Sequence, residues 1–503
     1  MYHALYLLIM AALALAVPAT VFVHAGGVIL VIGVIGVWRY SWSVVNVGRA
    51  IYYTRITYPR RRAAAEIAYQ AAARPTHAFF LVTTYKIDPA VTTRVYRSLF
   101  TAASNSAGGA TIVASVVDRA DERLIKLLFE IEPQAKVPVT LIVDRIPGSG
   151  KRDALATALR RIAGQCPTWR DIVLFVDGDS CVPEDIVVKA APFFCDQRTG
   201  ALTTDEACEI EGSPLFRDWY ALRFTQRQMM MSSVALSGRV LTLTGRMSVV
   251  RADLATNPEF ISAVQHDFID HWRLGRIKFL TGDDKSTWYW LLKSGYEMAY
   301  LPDVQCLSME SQPNPGFVDS AVTLMIRWFG NMLRTNSRAL RLSPSKIGWF
   351  TWWSILDQRV SMWTTLVGPV GVLTTAIFFE PMIVVVYAAW VMFTRYAYCW
   401  VLAIFRGPFP VSYPILLYFG QIGGALVKSY VLFRLDRQRW TRQSASSVRL
   451  GGVMARVRTL SSVYLHVLAL GWLIVAVFWM TSLGADASSA EPNSKVSYND
   501  RNE

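Results

Sequence analysis

The segment IVLFVDGDS, residues 172–180, joins an apolar β-strand to a pair of carboxylates. Its run of β-branched and aromatic residues predicts a buried strand, and Asp177 and Asp179 flank Gly178 where that strand ends. A turn at this point can aim both carboxylates at one hard divalent cation, Mg²⁺ or Mn²⁺, that bridges a diphosphate. Asp and Gly are also common in solvated turns, so the motif alone leaves both interpretations open.

Three further segments in the same region have the character of strands that end in polar residues. They are AFFLVTTY (78–85), ATIVASVVD (110–118) and VTLIVD (139–144). Helical segments alternate with them, which is the pattern of an α/β domain, and we place this domain at residues 63–340. Open sheets bind ligands at the carboxyl ends of their strands, so we expect the chemistry there.

Apolar segments flank this domain on both sides. Residues 4–24 and 28–38 are separated by two glycines and predict a transmembrane hairpin within residues 1–58. Further apolar spans at 363–379, 381–404, 412–433 and 462–484 follow a Trp-rich segment, residues 349–363, that we interpret as an interfacial helix. Residues 345–484 thus predict interfacial and transmembrane helices, and residues 485–503 predict a polar, disordered tail.

The span at 412–433 is less regular than the others. Polar and small residues interrupt it at Gln421, Gly423, Gly424 and Lys428. If it crossed the membrane with its neighbours, the basic stretch after it would lie outside, against the tendency of basic loops to stay in the cytoplasm. We therefore expect this span to lie in the interface or to re-enter.

The composition supports a membrane protein with basic loops in the cytoplasm. Of 503 residues, 53% are hydrophobic and 17% charged, and the mean hydropathy is +0.29. The formal net charge of +14 fits cytoplasmic loops that face anionic membrane lipid, so it does not require a nucleic-acid partner. The six cysteines include no CxxC pair, which argues against a zinc ribbon or a disulfide framework.

A second acidic motif, Thr281-Gly282-Asp283-Asp284, precedes a Trp-rich helical segment. Sugar transfer to a hydroxyl needs a base within hydrogen-bond reach, and a carboxylate beside a metal diphosphate suits that role. Asp284 is our candidate for the base. The alternative is an ordinary helix N-cap, because Asp accepts backbone hydrogen bonds at helix starts.

Cations suited to phosphate occur at two places. Arg327-Trp328 precedes the return to the membrane, where Arg can neutralise a leaving diphosphate and Trp can pack on a sugar, although such a pair is also a common interfacial anchor. PGSGKRDAL (147–155) is not a P-loop, since Arg145 stands where Gly is required and Arg152 follows Lys151 where Ser or Thr is required. Lys151 and Arg152 remain candidates for contact with phosphate as simple cations.

Taken in order, these motifs resemble the D, DxD, TED and QxxRW series of the processive family-2 glycosyltransferases, such as cellulose, chitin and hyaluronan synthases. The matching segments are the strand that ends at Asp118, Asp177-Gly178-Asp179, residues 281–284 and Arg327-Trp328. The resemblance implies an α/β fold with a GT-A type cytoplasmic glycosyltransferase domain inserted between N- and C-terminal transmembrane helices. It covers nearly the whole chain.

Several segments are most similar to the alginate-polymerising members of that family, the mannuronan synthases. These segments are GVIGVWRYSW, LVTTYKID, GSGKRDAL, LTLTGRMSV, WRLGRIKFLTGDDKS, RWFGNMLRTNSRAL, DQRVSMW and FRLDRQRWTRQ. The resemblance implies GDP-mannuronic acid as donor, growing polymannuronate as product, and secretion of the polymer across the inner membrane. It also implies a separate PilZ-domain subunit that binds cyclic di-GMP.

The resemblance assigns roles to individual residues in an inverting, metal-assisted displacement. Asp284, or Asp283 beside it, is the base, and Asp179 holds the metal together with Asp177. The implied donor-binding residues are Thr83, Tyr85, Asp118, Lys151, Arg152, Asp177, Arg327, Trp328, Trp440 and Arg442. The sequence departs from the family motifs at Leu324, where QxxRW has Gln, and at Gly282-Asp283, where TED has Glu.

An anionic donor and polymer need cations, and Arg246, Arg327, Arg334 and Arg338 lie in stretches that we expect near the membrane. Attraction to lipid headgroups explains any one of them equally well. Two other functions compete with the polymerase. One is a non-processive transferase that moves a single sugar onto a lipid phosphate, and the other is a transporter or scaffold whose soluble domain only binds nucleotide.

Overall fold

A computed structural model describes residues 1–72, 74–132, 137–278, 280–437 and 453–489. Ten strands lie between the flanking apolar helices. Their bounds are β1 Ala78–Thr84, β2 Ala110–Val116, β3 Val139–Arg145, β4 Ile172–Asp177, β5 Ser180–Cys181, β6 Thr199–Glu211, β7 Met247–Arg251, β8 Ile269–His271, β9 Gly275–Ile277 and β10 Glu297–Ser311. The four strands predicted from the sequence are β1 to β4, and they are confirmed.

Eight of these strands form one mixed sheet, in the order β3-β2-β1-β4-β7-β6-β10-β5. The half that contains β3, β2, β1 and β4 is parallel, and Thr83 of β1 pairs in register with Asp177 of β4. β7 then runs antiparallel to β4 and to β6, and β10 runs parallel to β6. The change of direction beside β4 places the carboxyl end of that strand near the middle of the sheet. Strands β8 and β9 form a separate hairpin.

Among the described residues, ten α-helices and one 3-10 helix, Ala191–Cys195, accompany the sheet in the same region. The α-helices are α5 Pro89–Ser104, α6 Arg119–Ile131, α7 Lys151–Ala163, α8 Ile186–Ala190, α9 Pro214–Ala235, α10 Ala252–Ala255, α11 Pro258–His266, α12 Asp283–Ser294, α13 Phe317–Ala339 and α14 Pro344–Ile347. The main apolar core lies between the sheet and these helices, with Trp288, Phe80 and Leu81 fully buried. Burial of each such side chain stabilises the fold by roughly 1.5–3 kcal/mol. This packing holds in place the strand ends that carry polar residues.

The flanking helices are α1 Tyr2–Leu15, α2 Thr20–His24, α3 Gly26–Tyr52, α4 Tyr58–Ala71, α15 Trp349–Phe378, α16 Ile383–Arg406, α17 Tyr413–Phe433 and α18 Val453–Ser489. Five helical stretches among the described residues are long and apolar enough to cross a membrane: 26–71, 349–378, 383–406, 413–433 and 453–482. Such helices therefore lie on both sides of the α/β domain. A π-helical turn, Tyr53–Thr57, joins α3 to α4.

The apolar segments differ from expectation at three places. Residues 4–24 are not one helix, because the chain leaves helical structure after Leu15, before Pro18, and resumes as the short α2. The Trp-rich segment 349–363 is not a separate interfacial helix but the first half of α15. α17 is continuous through Gly423 and Gly424, so the interruption that suggested a re-entrant segment is absent.

Polar contacts link the α/β domain to the flanking helices, among them one at the end of α16 and one at the end of α3. At the end of α16, Arg406 donates hydrogen bonds to both carboxylate oxygens of Asp205 on β6, at 2.7 Å each, and to the backbone carbonyl of Glu206. At the end of α3, the Tyr53 hydroxyl donates to the carbonyl of Tyr300 on β10 at 2.6 Å. Asp205 is buried, so its link with Arg406 is a partly desolvated ion pair that resists sliding of the sheet over α16.

Candidate active site

The turn after β4 brings two carboxylates to the middle of the sheet. Asp177 ends β4, Gly178 follows, and Asp179 precedes the two-residue strand β5. The backbone of Gly178 approaches the end of β1 so closely that a Cβ there would lie 2.6 Å from the carbonyl oxygen of Thr83. Only Gly permits this approach, which holds both carboxylates beside the end of the neighbouring strand.

We expect Gly178→Ala to lower stability by about 1–3 kcal/mol, because the added methyl group must push the Asp177-Asp179 turn away from β1. Thermal unfolding of the detergent-solubilised protein measures this effect. Gly48→Ala is the matched control, because a Cβ at Gly48 meets nothing within 4 Å in the described structure, so we expect no loss there. Equal midpoints for the two variants would contradict the close approach.

Lys151, the first residue of α7, connects the two acidic motifs. Its Nζ donates to Oδ1 of Asp177 at 2.6 Å and forms an ion pair with Oδ2 of Asp283 at 3.1 Å. Burial raises the pKa of Asp177 to about 6, and the like charges of Asp179 and Asp283 add to this, while Lys151 opposes it. The sequence predicted Lys151 as a simple cation for phosphate, and the structure places it between carboxylates that face the same cleft.

Asp283 and Asp284 begin α12 and have different surroundings. The N-cap residue is Gly282, so Asp284 is not the N-cap that we considered as an alternative. Asp283 is buried and bound to Lys151, whereas Oδ2 of Asp284 accepts a long hydrogen bond, 3.4 Å, from the Thr242 hydroxyl. Asp284 lines the cleft without an ion pair in the described part of the chain, which favours it over Asp283 as the base.

Burial raises the pKa of Asp284 above its ordinary value, and the like charge of Asp283 raises it further. A base must be ionised, so we expect activity to fall on acidification at a higher pH than an ordinary carboxyl would give. In Asp283→Asn the like charge is removed, so the acid limb of the pH–rate profile should move to lower pH. If the acid limb of the Asp283→Asn profile lies at the same pH as that of the wild type, this result would argue against Asp284 as the titrating group.

Arg327 and Trp328 lie on α13 and line the same cleft as the carboxylates. The Trp328 ring stacks on Trp219 with centroids 5.8 Å apart and an interplanar angle of 22°, which holds the indole at the cleft wall. Leu324, at the position of the family glutamine, is 4% exposed and also lines the cleft. An apolar side chain therefore replaces an amide at that wall.

The other predicted donor-binding residues fall into three groups. Thr83 and Tyr85, at the end of β1, line the cleft as expected. Asp118 follows β2 and is exposed outside the cleft lining, although the preceding residue, Val117, lines the cleft. Trp440 and Arg442 lie outside the described residues.

Arg152 is the clearest departure from the prediction. Its guanidinium is 7% exposed and donates to the carbonyls of Leu280 and Val264, at 2.6 and 2.5 Å, and to the Ser286 hydroxyl at 2.9 Å. These bonds join α7 to α11 and α12. Arg152 therefore holds the helices behind the site together and does not face a phosphate.

Among the arginines that we expected to meet a uronate carboxylate, Arg246, Arg334 and Arg338 are bound within the protein. Arg246 donates to Glu206, to Glu310 and to the Tyr220 hydroxyl. Arg334 donates to the carbonyl of Leu435 and to the hydroxyl of Thr281, and Arg338 forms a bidentate pair with Asp267. This cluster of acidic and basic groups has no local sequence pattern, since its members come from distant segments.

One cleft of about 1570 Å³ is lined by both acidic motifs and by Arg327 and Trp328. Its lining also includes the end of β1, Gln358 of α15 and Tyr430 of α17. Carboxylates from distant parts of the sequence thus share one cleft that extends from the sheet to the flanking helices.

The donor set fits a divalent cation that a diphosphate completes. Among the described residues, no group of three or more His, Cys, Asp or Glu side chains is arranged to hold a metal by itself. Mg²⁺ in phosphate-transfer sites is typically held by one or two carboxylates plus substrate phosphates, and the paired carboxylates of Asp177 and Asp179 supply that number. They offer the hard oxygen ligands that such an ion requires.

The chain is similar to known glycosyltransferases. A family model described as "Glycosyltransferase like family 2" matches residues 75–331. The chain is 41% identical over 448 residues to "Glycosyltransferase alg8" of Pseudomonas syringae pv. tomato, covering 88% of this chain and 90% of that protein. It is 42% identical over 442 residues to the protein of the same name from Azotobacter vinelandii, covering 87% and 89%.

Among solved structures, the chain is similar to a mannosyltransferase from Pyrobaculum calidifontis in complex with GDP-Man and Mn²⁺. The TM-score is 0.42 at 17% sequence identity, over 76% of this chain and 98% of that one.

Proposed function

The chain belongs to glycosyltransferase family 2 and, within it, to the alg8 glycosyltransferases of alginate synthesis, and from that premise we propose that it polymerises mannuronate from GDP-mannuronic acid and passes the polymer out through its own helices. The observation that supports processive synthesis is the continuity of the cleft. Asp284 and Trp328 face the same space as Gln358 and Tyr430, which belong to the flanking helices. A polymer extended at Asp284 has a path that leads towards the membrane.

The proposed reaction is a single inverting displacement. Asp284 accepts the proton of the acceptor hydroxyl, the hydroxyl oxygen forms a bond to the anomeric carbon of the donor, and the bond from that carbon to the diphosphate oxygen breaks. Lys151 and Arg327 lie on the cleft wall and balance the charge of the departing GDP. A divalent ion held by Asp177 and Asp179, when bound, supplies further neutralisation of the diphosphate.

We also infer that the α/β domain lies in the cytoplasm and that the helices span the bacterial inner membrane. Six arginines accompany Trp and Tyr residues from the second half of α3 into α4, at Arg39, Arg49, Arg55, Arg60, Arg61 and Arg62. Such a mixture is typical of the cytoplasmic boundary of a membrane protein. A nucleotide sugar is available on that side.

Purified membranes supplied in turn with GDP-mannuronic acid, GDP-mannose, UDP-glucose and UDP-N-acetylglucosamine test the function. We expect a long polymer from GDP-mannuronic acid only, detected by size-exclusion chromatography of the released product. A polymer of a neutral sugar would overturn the donor assignment. A short product that partitions with lipid would identify the non-processive transferase instead.

Trp328 offers a test of the acceptor end of the cleft. We expect Trp328→Ala to lower polymer yield by about 10- to 100-fold while binding of GDP is retained, because the ring stacked on Trp219 positions the acceptor rather than the donor. Trp272→Ala is the matched control, since that ring is 85% exposed outside the cleft. Equal yields from the two variants would remove Trp328 from the acceptor site.

A further inference from the structure

Two cations close to the cleft pack mainly against aromatic rings. Arg223 on α9 and Lys428 on α17 form no ion pair with any carboxylate in the described ranges. Their neighbours are aromatic rings instead. The Arg223 guanidinium lies 4.5 Å from the centroid of Trp328 and 5.8 Å from that of Phe329, and the Lys428 ammonium lies 4.8 Å from that of Phe329.

The paired arginines of the same region provide the contrast. Arg246 is neutralised by Glu206 and Glu310, and Arg406 by Asp205. Asp357 on α15 is bound by Arg39. Arg223 and Lys428 lie against aromatic faces instead, with no carboxylate at ion-pair distance among the described residues.

This arrangement is costly without an anion. Arg223 and Lys428 are close enough to repel each other, and both are partly buried against apolar rings. Cation–π contact offsets only part of the desolvation of a charge, at about 0.5–2 kcal/mol per pair. An anion bound between the two side chains would remove the repulsion and supply charge-assisted hydrogen bonds.

The position of the pair indicates which anion it meets. Arg223 and Phe329 line the cleft with Trp328, and Lys428 lies behind the Phe329 ring on α17, the helix whose Tyr430 also lines the cleft. A sugar that has just been added to the polymer, and has moved past Trp328, reaches this point. Each residue of a polyuronate carries one carboxylate, so the product itself brings the missing negative charge.

We propose that Arg223 and Lys428 form a carboxylate-binding site for the polymer just beyond the transfer site, where it enters the membrane helices. The proposal rests on the proposed function, since it requires an acidic polymer. It gives a physical reason for selectivity at the exit, because a neutral polysaccharide would occupy the same space and leave both cations uncompensated.

Direct binding of a defined oligosaccharide to the full-length protein in zwitterionic detergent tests the proposal without relying on turnover. The two probes are hexamannuronate and the same hexasaccharide with its carboxyl groups reduced to alcohols. We expect the wild type to bind hexamannuronate at least about tenfold more tightly than the reduced probe. In Arg223→Gln and in Lys428→Gln this preference should fall to near one, and Arg223→Lys and Lys428→Arg should restore most of it.

Arg276→Gln is the matched control, because Arg276 is exposed and paired with Asp270 away from the cleft, and it should keep the full preference. Binding of GDP and the midpoint of thermal unfolding verify that each variant is folded. If Arg223→Gln does not fold, Lys428→Gln and its Arg counterpart provide the same test. An undiminished preference for hexamannuronate in folded variants would overturn the proposal.

The experiments distinguish a failure of the proposed carboxylate-binding site from a failure of the proposed function. A wild type that makes polymannuronate while the glutamine variants keep the carboxylate preference would disprove only the exit site. A wild type that makes no polymannuronate from GDP-mannuronic acid would disprove the function itself. In that second case the hexamannuronate preference would be absent from the wild type as well.

Discussion

Replacing Asp284 with Asn is expected to lower sugar transfer by about 10³-fold while leaving binding of the donor intact, because a correctly placed general base contributes about 10²- to 10⁴-fold. The amide keeps the size of the side chain and its hydrogen bond with Thr242 but cannot accept the acceptor proton. Radiolabel incorporation from GDP-mannuronic acid measures the transfer. Equilibrium binding of the same nucleotide sugar measures the donor site.

Asp283→Asn is the informative comparison, because the two residues are neighbours on α12 with different partners. Asp283 is bound to Lys151, so its replacement should weaken donor binding more than it slows the step after binding. A result in which Asp283→Asn abolishes transfer at saturating donor while Asp284→Asn retains it would exchange the two roles. Retention of transfer in both variants would remove this motif from the chemistry.

Replacing Arg246 with Met is expected to destabilise the folded protein by about 3–5 kcal/mol, the usual effect of removing one partner from a buried ion pair. Arg246 holds Glu206, which is 1% exposed, and Glu310 at the same time. Without the guanidinium, both carboxylates remain in a desolvated site with too few partners. A large fall in the midpoint of thermal unfolding, compared with the wild type in the same detergent, is the expected measurement.

Arg94→Met is the matched control for this experiment. Arg94 also pairs with a glutamate, Glu209, but both side chains are about half exposed, so we expect a loss of only about 0.2–1 kcal/mol. Adding Glu310→Gln to Arg246→Met should recover part of the stability, since it removes one of the stranded charges. If Arg246→Met unfolds at the same midpoint as Arg94→Met, the buried cluster does not stabilise the domain.

The elements with a strong local pattern could be predicted from the sequence. Strand β4 and the turn after it were identified because five apolar residues run directly into Asp177-Gly178-Asp179, and α12 begins with the acidic pair that the motif indicated. Each of these features depends on residues that are close in sequence. The long apolar helices were identifiable for the same reason, although their starts and breaks were not.

Features that depend on the order of strands or on helix orientation could not be predicted. Asp118 follows strand β2 and Asp177 ends strand β4, and β1 lies between these two strands. The two carboxylates therefore follow strands that are about 10 Å apart, which is twice the distance between neighbouring strands. Lys151 and Arg152 are adjacent in α7 and point about 100° apart around the helix. One faces the cleft and the other the interior, and composition alone cannot distinguish them.

The cation pair at the exit was missed although part of its signal was visible. Lys428 was noted only as an interruption of an apolar span, whereas a charged residue inside such a span is in itself a reason to suspect a functional site. In the structure, Gly424 and Lys428 both lie against the Phe329 ring, so the residues that suggested an irregular helix are those by which α17 contacts α13. Arg223 has no comparable signal in its own segment.

The link between Arg406 and Asp205 has a consequence for engineering hybrid polymerases. A catalytic domain transplanted onto the helices of a different synthase would bring Asp205 without its guanidinium, and the recipient's helices would bring no matching cation. A buried carboxylate would then remain unpaired at the junction. Chimeras of this protein should therefore exchange β6 and the end of α16 together, with the crossover placed beyond Arg406.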